Sequence, residues 1–490
     1  MVPTLVRSVP PAWFNSWVTS WANPETRDLH LDLRHRIVPG TRGARDLLIG
    51  ALRDAVRSGR LAPGAVLPPS RSLAGDLGLA RNTVAEAYAE LVAEGWLASR
   101  QGAGTWVLNA AGAAAPARPS RGIRTAPRHN FMPGSPDVSE FPRTEWVTST
   151  RRALANAPTE ALRMGDPRGR LELREAIAGY LARVRGVRTT PESIVICAGT
   201  RHGVEVLTRV FGTARPIAVE AYGLFIFRDV IAALGGSTVP IGVDDHGAVV
   251  AGLDALDVPA ALLTPAHHSP LGMSLHPERR AAVVEWARRT NGYVIDDDYD
   301  GEFRYDRQPV GALQALCPER VVYLGSASKS LSPVLRLGWM VLPGQLVESV
   351  IAAGGGDQFY VNGIAQLTMA DFIASGAYDK HIRRMRIRYR RRRDTLVETL
   401  GSFRIGIGGL NAGLNLLLTL PDGAEPEVLQ RAGAAGVALQ GLSIMRHPQA
   451  SRDVPDPDGI IIGFGTPAEN AFAAAVDALC DVLESSGLAR

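Results

Sequence analysis

The segment 109–129 (NAAGAAAPARPSRGIRTAPRH) divides the chain into two parts that must fold separately. It is rich in Ala, Pro, Gly and Arg, contains no acidic residue and shows no apolar periodicity. These properties are typical of an exposed linker. They predict a head of residues 1–108, a linker of residues 109–129 and a body of residues 130–490. No internal repeat is visible, so a solenoid is not favoured.

Charge is distributed unevenly between these parts. Residues 1–129 contain 16 arginines and 9 acidic residues, a net charge of +7. Residues 130–490 contain 37 basic and 40 acidic residues, a net charge of −3. A basic head on a slightly acidic body is typical of a polyanion-binding module joined to a second domain.

The composition excludes several classes of protein. With 46% hydrophobic and 21% charged residues, neither a disordered chain nor a fibrous rod is expected. Cys197, Cys317 and Cys480 are too widely spaced for a disulfide framework, and His267 and His268 lack a third metal ligand at suitable spacing. The N-terminus lacks a signal-peptide pattern, and no apolar run reaches about 18 residues. We therefore expect a cytoplasmic protein without a membrane span or metal centre.

The head shows the pattern of a winged helix-turn-helix. Apolar residues between Leu47 and Val56 recur at helical spacing. A short helix, SRSLAGDL, is expected to begin with Ser70 as its cap, and Gly78 then turns the chain into a second helix from Arg81. The sequence WLASRQGAGTWV predicts two short strands around a glycine-rich tip. Helix, turn, helix and hairpin in this order are typical of DNA-binding modules.

Polar side chains occupy the positions at which such a module reads DNA. The second helix begins with an Arg-Asn-Thr sequence, and Arg and Asn can make bidentate hydrogen bonds to guanine and adenine. An arginine at the start of the preceding helix can bind a phosphate, and the hairpin tip can follow the backbone or enter the minor groove. The candidate DNA contacts are Arg71, Arg81, Asn82, Thr83, Arg100 and Gly102. The alternative is a small helical domain with surface arginines.

Short apolar runs alternate with helical stretches along the body. The predicted strands include SIVICAG, RPIAVE, ALLTP, YVIDDDY and RVVYLGS. This alternation predicts an α/β domain with a largely parallel sheet, which becomes more α+β from about Ile382. The expected fold class is therefore multidomain, a mostly helical winged helix-turn-helix followed by an α/β domain.

The strongest chemical signal is the sequence YLGSASKSLSPVLRLGW. Lys329, one of only two lysines among 53 basic residues, stands here after a predicted strand. A lysine amine can form an imine with an aldehyde, whereas a guanidinium stays protonated and cannot. Ser326, Ser328 and Arg336 suit a phosphate. A phosphate-bearing aldehyde is pyridoxal 5′-phosphate (PLP), so we predict this cofactor.

Two further strand ends agree with this prediction. In YVIDDDYDGEF, an acidic run can supply the carboxylate that keeps the pyridine nitrogen of PLP protonated, and Tyr299 can approach the ring oxygen. ICAGTRHG leads into a helix, so the amides of Gly199, Thr200 and Arg201 can cradle a phosphate. Open α/β sheets bind ligands at the carboxyl ends of their strands. Taken singly, the same patterns also suit a surface Ser-Lys pair, an acidic loop or a helix cap.

Both parts of the chain resemble known families. Residues 61–107 resemble the GntR-family winged helix, which implies that Arg71, Arg81, Asn82 and Thr83 contact DNA. Residues 131–465 resemble a fold-type I aminotransferase through GDPRG (165–169), AGT (198–200), TPAHHSPLG (264–272), DDDYDGEFRY (296–305) and SASKSLSPVLRLG (326–338). The combination resembles the MocR/GabR subfamily of bacterial transcription regulators. It implies a PLP-binding effector domain and a head-to-tail homodimer.

The resemblance also implies a role for each cofactor residue. Lys329 would carry the Schiff base, and Asp297 would pair with the pyridine nitrogen, with Asp296 the alternative if the register is off by one. Tyr299 would approach the ring oxygen, and His267 would line the pocket. The predicted cofactor-binding residues are Gly199, Thr200, Arg201, His267, Asp297, Tyr299, Ser326, Ser328, Lys329 and Arg336.

Some positions depart from the family pattern. Met164, Arg201, Leu224, His268 and Leu271 stand where Tyr, Gln, Tyr, Gln and a small hydroxyl residue are usual, with Phe225 a substitute for the missing ring at 224. These changes leave the lysine, carboxylate and phosphate groups intact. They leave open whether the chain catalyses transamination and which amine it binds.

We predict a PLP-dependent transcriptional regulator that binds double-stranded promoter DNA. It would respond to an amine, an amino acid or PLP itself through an aldimine at Lys329. One alternative is an active aminotransferase with an accessory DNA-binding head, and another is a DNA-binding protein whose body has lost PLP. Arg446 and Arg452 are candidates for binding an effector carboxylate. The arginine-rich run 380–393 is interpreted as a helix with one buried stripe and a solvated basic face.

Overall fold

The computed structural model describes residues 43–100, 102, 104–108, 127–305, 310–356, 361–409 and 412–489. The chain divides into two units, Met1–Thr125 and Ala126–Arg490. The segment before Gly43 and most of the predicted linker lie outside the described residues. The linker prediction includes His129, but this residue already pairs with Val437 of the second unit.

The described part of the first unit is a helical domain with a small antiparallel sheet. Its elements are α1 Ala44–Arg57, β1 Val66–Leu67, α2 Ser70–Leu77, α3 Arg81–Ala93, β2 Leu97–Arg100 and β3 Gly104–Val107. The sheet order is β1-β3-β2. Buried apolar side chains from all three helices form one core with the sheet. This is the predicted order of helix, turn, helix and hairpin.

The turn between α2 and α3 depends on a glycine. Gly78 has φ 66°, a left-handed conformation that side chains disfavour, and it places α3 across α2. The prediction that Ser70 caps α2 was wrong. Pro69 occupies the cap position without a side-chain hydrogen bond, and Ser70 is the first helical residue.

The second unit contains most of the regular structure. Its helices are α4 Arg143–Asn156, α5 Leu171–Arg185, α6 Thr200–Phe211, α7 Phe225–Ala233, α8 Pro277–Thr290, α9 Val347–Ala353, α10 Gly363–Ala374, α11 Ala377–Leu400, α12 Ala424–Ala434 and α13 Phe472–Ser485. Its strands are β4 His129–Asn130, β5 Ile194–Cys197, β6 Ile217–Glu220, β7 Thr238–Ile241, β8 Val243–Asp244, β9 Gly247–Ala248, β10 Ala260–Leu263, β11 Tyr293–Asp297, β12 Val321–Ser326, β13 Gly338–Val341, β14 Gly406–Gly408, β15 Asn415–Thr419, β16 Val437–Ala438, β17 Gln440–Gly441 and β18 Gly459–Gly463.

A seven-stranded sheet forms the centre of this unit. Its order is β5-β13-β12-β11-β10-β6-β7, and only β13 runs antiparallel to its neighbours. Helices α6, α7 and α9 bury their apolar faces on one side of the sheet. Helix α8 covers part of the other side, and α5, α10 and α11 join the largest cluster there. The strands are apolar on both faces because both faces are covered.

The C-terminal part is α+β, as the sequence predicts. Strands β14, β15, β18 and β17 form an antiparallel sheet, and α12 and α13 pack into the same core as α5 and α11. The expected multidomain fold class is thus confirmed. Among the described residues, no helix is both long and apolar enough to span a membrane.

Candidate functional site

A cleft opens where strands of the central sheet reach their carboxyl ends. It encloses about 900 Å³ of space, including its open mouth. Residues following β5, β6, β10, β11 and β12 contribute to its wall, as expected for an open α/β sheet. The lining includes Pro133, Gly134, Thr200, Glu220, Leu224, Phe227, Arg228, Thr264, Ser269, Asp297, Tyr299, Lys329, Asn415, Met445 and Ile461.

Lys329 reaches this cleft from the loop after β12. Its Nζ donates a hydrogen bond of 2.5 Å to the carbonyl oxygen of Gly134. Burial lowers the pKa of Lys329, while the carboxylates of Asp300 and Asp297 oppose that shift. A lowered pKa increases the fraction of neutral amine, which is the nucleophilic form. The side chain is therefore placed and tuned to attack a carbonyl carbon in the cleft.

Asp297 is the acidic residue of the run that faces the cleft. Its Oδ1 is buried and has no hydrogen-bond partner among the described residues. Burial raises the pKa of Asp297 to about 8; the charge of Lys329 lowers it, and neighbouring carboxylates raise it. A cationic N–H group bound here would satisfy that oxygen and restore the carboxylate.

The neighbouring carboxylates point elsewhere because side chains alternate along a strand. Asp296 accepts a hydrogen bond from the Leu313 amide, 2.8 Å away. Asp298 pairs with the Arg185 guanidinium at 2.6 Å and accepts a hydrogen bond from the Tyr323 hydroxyl. Asp297 is therefore the residue that fits the pyridine nitrogen, because it lines the cleft and the alternative, Asp296, does not.

Tyr299 lines the cleft and is backed by two buried polar groups. Its hydroxyl lies 3.1 Å from Nδ1 of His267, and the same nitrogen lies 2.8 Å from Oδ2 of Asp300. His267 lies behind Tyr299, with the rings stacked at 6.0 Å, rather than on the cleft surface. Gly413 is required beside them, because a Cβ atom there would lie 2.3 Å from the His267 ring.

The predicted phosphate residues meet at one edge of the sheet. Ser326 lies opposite Gly338, which lies opposite Cys197, and the chain continues from Cys197 to Gly199. Gly199 has φ 91° and precedes the first turn of α6, where free amides favour an anion. A Cβ atom on Gly199 would lie 3.8 Å from Nη1 of Arg336. Amides, hydroxyls and a guanidinium at one place suit a phosphate.

Two predicted residues are placed differently from the rest. Thr200 lines the cleft, but the side chain of the next residue, Arg201, is exposed, because each helical residue is rotated by about 100° from the last. Phe225, which the family resemblance offers as a substitute for a stacking ring, packs against an apolar cluster. The residue before it, Leu224, lines the cleft. Ser328 donates its amide to the Ser326 hydroxyl at 3.4 Å.

Several residues that line the cleft were not predicted from the sequence. Glu220 ends β6 and accepts two hydrogen bonds from Thr264, at 3.1 and 2.6 Å. Burial raises the pKa of Glu220 to about 8 and lowers that of the adjacent His268 to about 3. The strand-end rule that found Asp297 would also have found Glu220 and Thr264. Gly134 and Asn415 carry no local signal of this kind.

The arginines proposed to bind an effector carboxylate lie outside the cleft. Arg446 is held by Asp456 at 3.3 Å, and Arg452 is exposed. The arginine that does line the cleft is Arg228. No cluster of three or more His, Cys, Asp or Glu side chains suited to a metal ion occurs within the described ranges.

In the head, the predicted DNA contacts form an exposed polar surface. Arg81 and Asn82 are exposed at the start of α3, Thr83 is half-buried, and Arg71 is exposed in the first turn of α2. Gly102, at the hairpin tip beyond Arg100, is exposed with φ 85°. Other head arginines are neutralised elsewhere; Arg45 pairs with Glu90 and Arg53 with Glu94. Within the described residues, the arginines of α2, the start of α3 and β2 have no such carboxylate partner.

The arginine-rich run lies on α11 and serves mainly the body itself. Arg392 is fully buried and bonds Asp137 and Glu469, each at 2.8 Å. Arg388 pairs with Glu140 at 2.6 Å, while other arginines of the run bond backbone carbonyls. This supports the interpretation of a packed helix rather than a DNA-binding tract.

Comparisons with known families match both units. Residues 46–107 match the bacterial regulatory proteins of the gntR family, and residues 134–450 match aminotransferase class I and II. The chain belongs to the MocR/GabR subfamily of GntR-family transcription regulators, in which the two domains are joined.

Relatives of this kind cover most of the chain. It is 33% identical over 427 residues to the HTH-type pyridoxine biosynthesis transcriptional regulator PdxR of Corynebacterium glutamicum, covering 86% of this chain and 92% of that protein. It is 31% identical over 464 residues to the probable rhizopine catabolism regulatory protein MocR of Rhizobium meliloti, covering 89% of this chain and 93% of that protein.

Solved structures agree on the fold of the body. The kynurenine aminotransferase of Pyrococcus horikoshii superposes with a TM-score of 0.66 at 24% identity, covering 74% of this chain and 92% of that chain. This likeness establishes the fold-type I aminotransferase architecture, a family that depends on PLP.

Proposed function

We propose that the protein is a cytoplasmic transcriptional regulator that reads promoter DNA with its head and holds PLP in the cleft of its body. The main support for this proposal is the set of side chains in the cleft. It contains the enclosed amine of Lys329 and the buried Oδ1 of Asp297, which has no partner in the part of the chain that the structure describes. The same chain presents exposed Arg81 at the start of α3 and exposed Arg71 on the preceding helix, and neither has a carboxylate partner among the described residues. PLP uses both groups, the amine for an imine and the carboxylate for its pyridine nitrogen.

Each residue of the cleft has a definite task in this proposal. Lys329 binds the cofactor covalently, and Asp297 holds a proton on the pyridine nitrogen. Tyr299 orients the ring oxygen, and its position is fixed by His267 and Asp300. Bound there, PLP supplies an aldehyde carbon that exchanges reversibly among amines.

The phosphate has a separate anchor. The amides of Gly199, Thr200 and Arg201 at the start of α6, the hydroxyls of Ser326 and Ser328, and the Arg336 guanidinium converge on it. Support comes from Gly338, where a Cβ atom would lie 2.8 Å from the Gly199 Cα, so the cradle is packed backbone against backbone. The phosphate thus contributes affinity independently of Lys329.

Regulation requires that cofactor or effector favour one DNA-bound arrangement. A ligand shifts an equilibrium only by its different affinities for the two states. We expect PLP, or an amine that exchanges with Lys329, to change the body and thereby promoter affinity. A homodimer would then read two half-sites spaced by about one helical turn or a multiple of it.

The proposed homodimer has a suitable surface on the body. Val147, Leu162 and Met164 are exposed apolar side chains at 53%, 61% and 72% of their surface. Val147 lies on α4, and Leu162 ends a short 3-10 helix that is followed by Met164; both elements pack against α10, where Ile364 is also exposed. Grouped apolar exposure of this kind favours an interface. The head-to-tail arrangement stays a prediction from the family resemblance.

An aminotransferase with an accessory head is the second candidate. The fold of the body and the placement of Lys329 favour it. Steady conversion of an amino acid with a keto acid by the purified protein would support catalysis as a main role. Binding of amines without product supports the regulator.

The test compares purified wild type with Lys329→Ala. Wild type with PLP should show a cofactor absorption band, and borohydride reduction should fix the cofactor on the peptide that contains Lys329. Lys329→Ala should lose the covalent link while keeping weaker binding through the phosphate anchor. Absence of the band in wild type, even with excess PLP, would contradict the proposal.

A further inference from the structure

One wall of the cleft is apolar and is built by two parts of the chain that are distant in sequence. Leu224 and Phe227 come from the end of β6 and the start of α7, and Met445 and Ile461 come from the C-terminal part. Leu224, Met445 and Ile461 belong to one small apolar cluster. A ligand that reaches this wall therefore meets hydrocarbon.

Arg228 touches the cleft, but its guanidinium is already used. Its Nη1 donates to the carbonyl oxygen of Met445 and its Nη2 to that of Ile444, both at 2.8 Å. Burial lowers the pKa of Arg228. Arg228 is a positioning residue that holds Met445 against the cleft. A ligand carboxylate would have to displace these two backbone carbonyl oxygens in order to pair with Arg228.

The polar group of this wall is a neutral carboxamide. Asn415 begins β15 and lies opposite Gly463, two residues from Ile461 on the same face of the sheet. Its Oδ1 is buried and lacks a partner within the described residues, and the side chain lines the cleft. A buried amide oxygen favours an N–H or O–H donor, and a neutral carboxamide offers no charge to balance a carboxylate.

We propose that the effector is a primary amine with an apolar side chain and a neutral hydrogen-bond donor, such as an amino alcohol or amino amide, rather than an α-amino acid. This rests on the proposed function, because the amine would exchange with Lys329. In that exchange the carbon–nitrogen double bond to Lys329 breaks and one to the effector nitrogen forms. Two protons move from the effector amine to Nζ of Lys329, and nothing is oxidised or reduced. The neutral donor binds Asn415, and the side chain lies against Met445 and Ile461.

A matched series of four amines tests this proposal. L-leucinol, L-leucinamide, L-leucine and 3-methylbutylamine share a branched apolar group and differ in the polar group. Titrated into PLP-loaded protein and followed by cofactor absorbance and by calorimetry, leucinol and leucinamide should bind at least about tenfold more tightly than leucine, because an unpaired carboxylate is strongly rejected by a neutral site. Leucine binding as tightly as leucinol would overturn the proposal.

Two variants locate the discrimination. Asn415→Leu should remove the advantage of leucinol over 3-methylbutylamine while leaving 3-methylbutylamine binding in place. Arg228→Gln should weaken all four amines together, because it releases Met445. Selective loss of leucine in Arg228→Gln would identify Arg228 as a carboxylate anchor and contradict the proposal.

The outcomes separate this proposal from the function on which it rests. If the protein takes up no PLP, the proposed function fails. If PLP is attached to Lys329 and none of the four amines binds, or leucine is preferred, the effector class is wrong and the cofactor assignment stands.

Discussion

The Nζ of Lys329 donates a 2.5 Å hydrogen bond to the carbonyl of Gly134, a residue 195 positions earlier in the chain. Gly134 has φ 99°, and a Cβ atom on it would lie 3.2 Å from that Nζ. The start of the body thus closes over the lysine. The contact positions the amine at the wall of the cleft.

Gly134→Ala should therefore weaken cofactor attachment. A left-handed backbone costs a non-glycine residue about 1–2 kcal/mol, and the new methyl group presses on Nζ. We expect roughly a tenfold lower PLP affinity, the equivalent of about 1.4 kcal/mol, measured by absorbance titration. Gly179→Ala, within α5 and with open space around its Cβ position, is the control and should bind PLP normally. Equal affinity in both variants would show that the Gly134 contact is dispensable.

The raised pKa of Asp297 predicts that the stability of the cofactor-free protein depends on pH. Its pKa rises from 3.8 to about 8 on folding, so between these values the folded state keeps a proton that the unfolded state releases. The free energy of unfolding therefore falls as pH rises through this window. Between about pH 5 and pH 8, the free energy of unfolding of Asp297→Asn should fall less than that of wild type. The two decreases, measured by urea unfolding, should differ by more than about 1 kcal/mol. Parallel stability curves for the two proteins would contradict the assignment. Saturating PLP should reverse the effect in wild type.

Arg81→Ala should cost about 1–3 kcal/mol of discrimination between the native promoter and a site mutated at one base pair. Arg81 is exposed at the start of α3, whereas Arg53 pairs with Glu94 beyond the other end of that helix at 2.6 Å. The matched control Arg53→Ala removes the same charge at a distance of about 18 Å along α3. Equal losses in the two variants would indicate a nonspecific charge effect.

Arg392 should be a stability residue rather than a DNA contact. It is buried and bonds Asp137 and Glu469, so Arg392→Met leaves the buried Asp137 carboxylate without its cationic partner and should cost about 3–5 kcal/mol of unfolding free energy. The exposed Arg390, 3.8 Å from Asp394, is the control, and Arg390→Ala should change stability by less than about 0.5 kcal/mol. Promoter affinity should be unchanged in Arg390→Ala, and a large loss there would restore the DNA-tract interpretation.

The parts of this site that sequence predicts are those defined by strand ends. Asp297, Lys329 and Thr200 follow apolar strands directly, and parallel strands bring their carboxyl ends to one edge. Gly134 and Asn415 enter the cleft from segments with no such signal, because only tertiary packing brings them there. Arg201 shows the limit of local reasoning, since one step along a helix turns its side chain to solvent.

Because lysine is rare in this chain, its presence at position 329 strengthened the prediction of an imine-forming residue there. Arginine serves the structural positions, as Arg392 and Arg185 show by their buried ion pairs. Lys329 stands where imine chemistry excludes arginine. For the effector carboxylate, the sequence left Arg446 and Arg452 as alternatives; the structure pairs Arg446 with Asp456 and leaves Arg452 exposed.

Promoter affinity measured with and without PLP, in wild type and in Lys329→Arg, shows whether attachment of PLP to Lys329 controls DNA binding. Lys329→Arg keeps the positive charge and loses the imine-forming amine. We predict that PLP changes the dissociation constant of wild type for promoter DNA at least about fivefold, which is in the range of typical allosteric coupling. The dissociation constant of Lys329→Arg for the same DNA should be nearly unchanged. An equal shift in both proteins, or none in wild type that carries attached PLP, would contradict it.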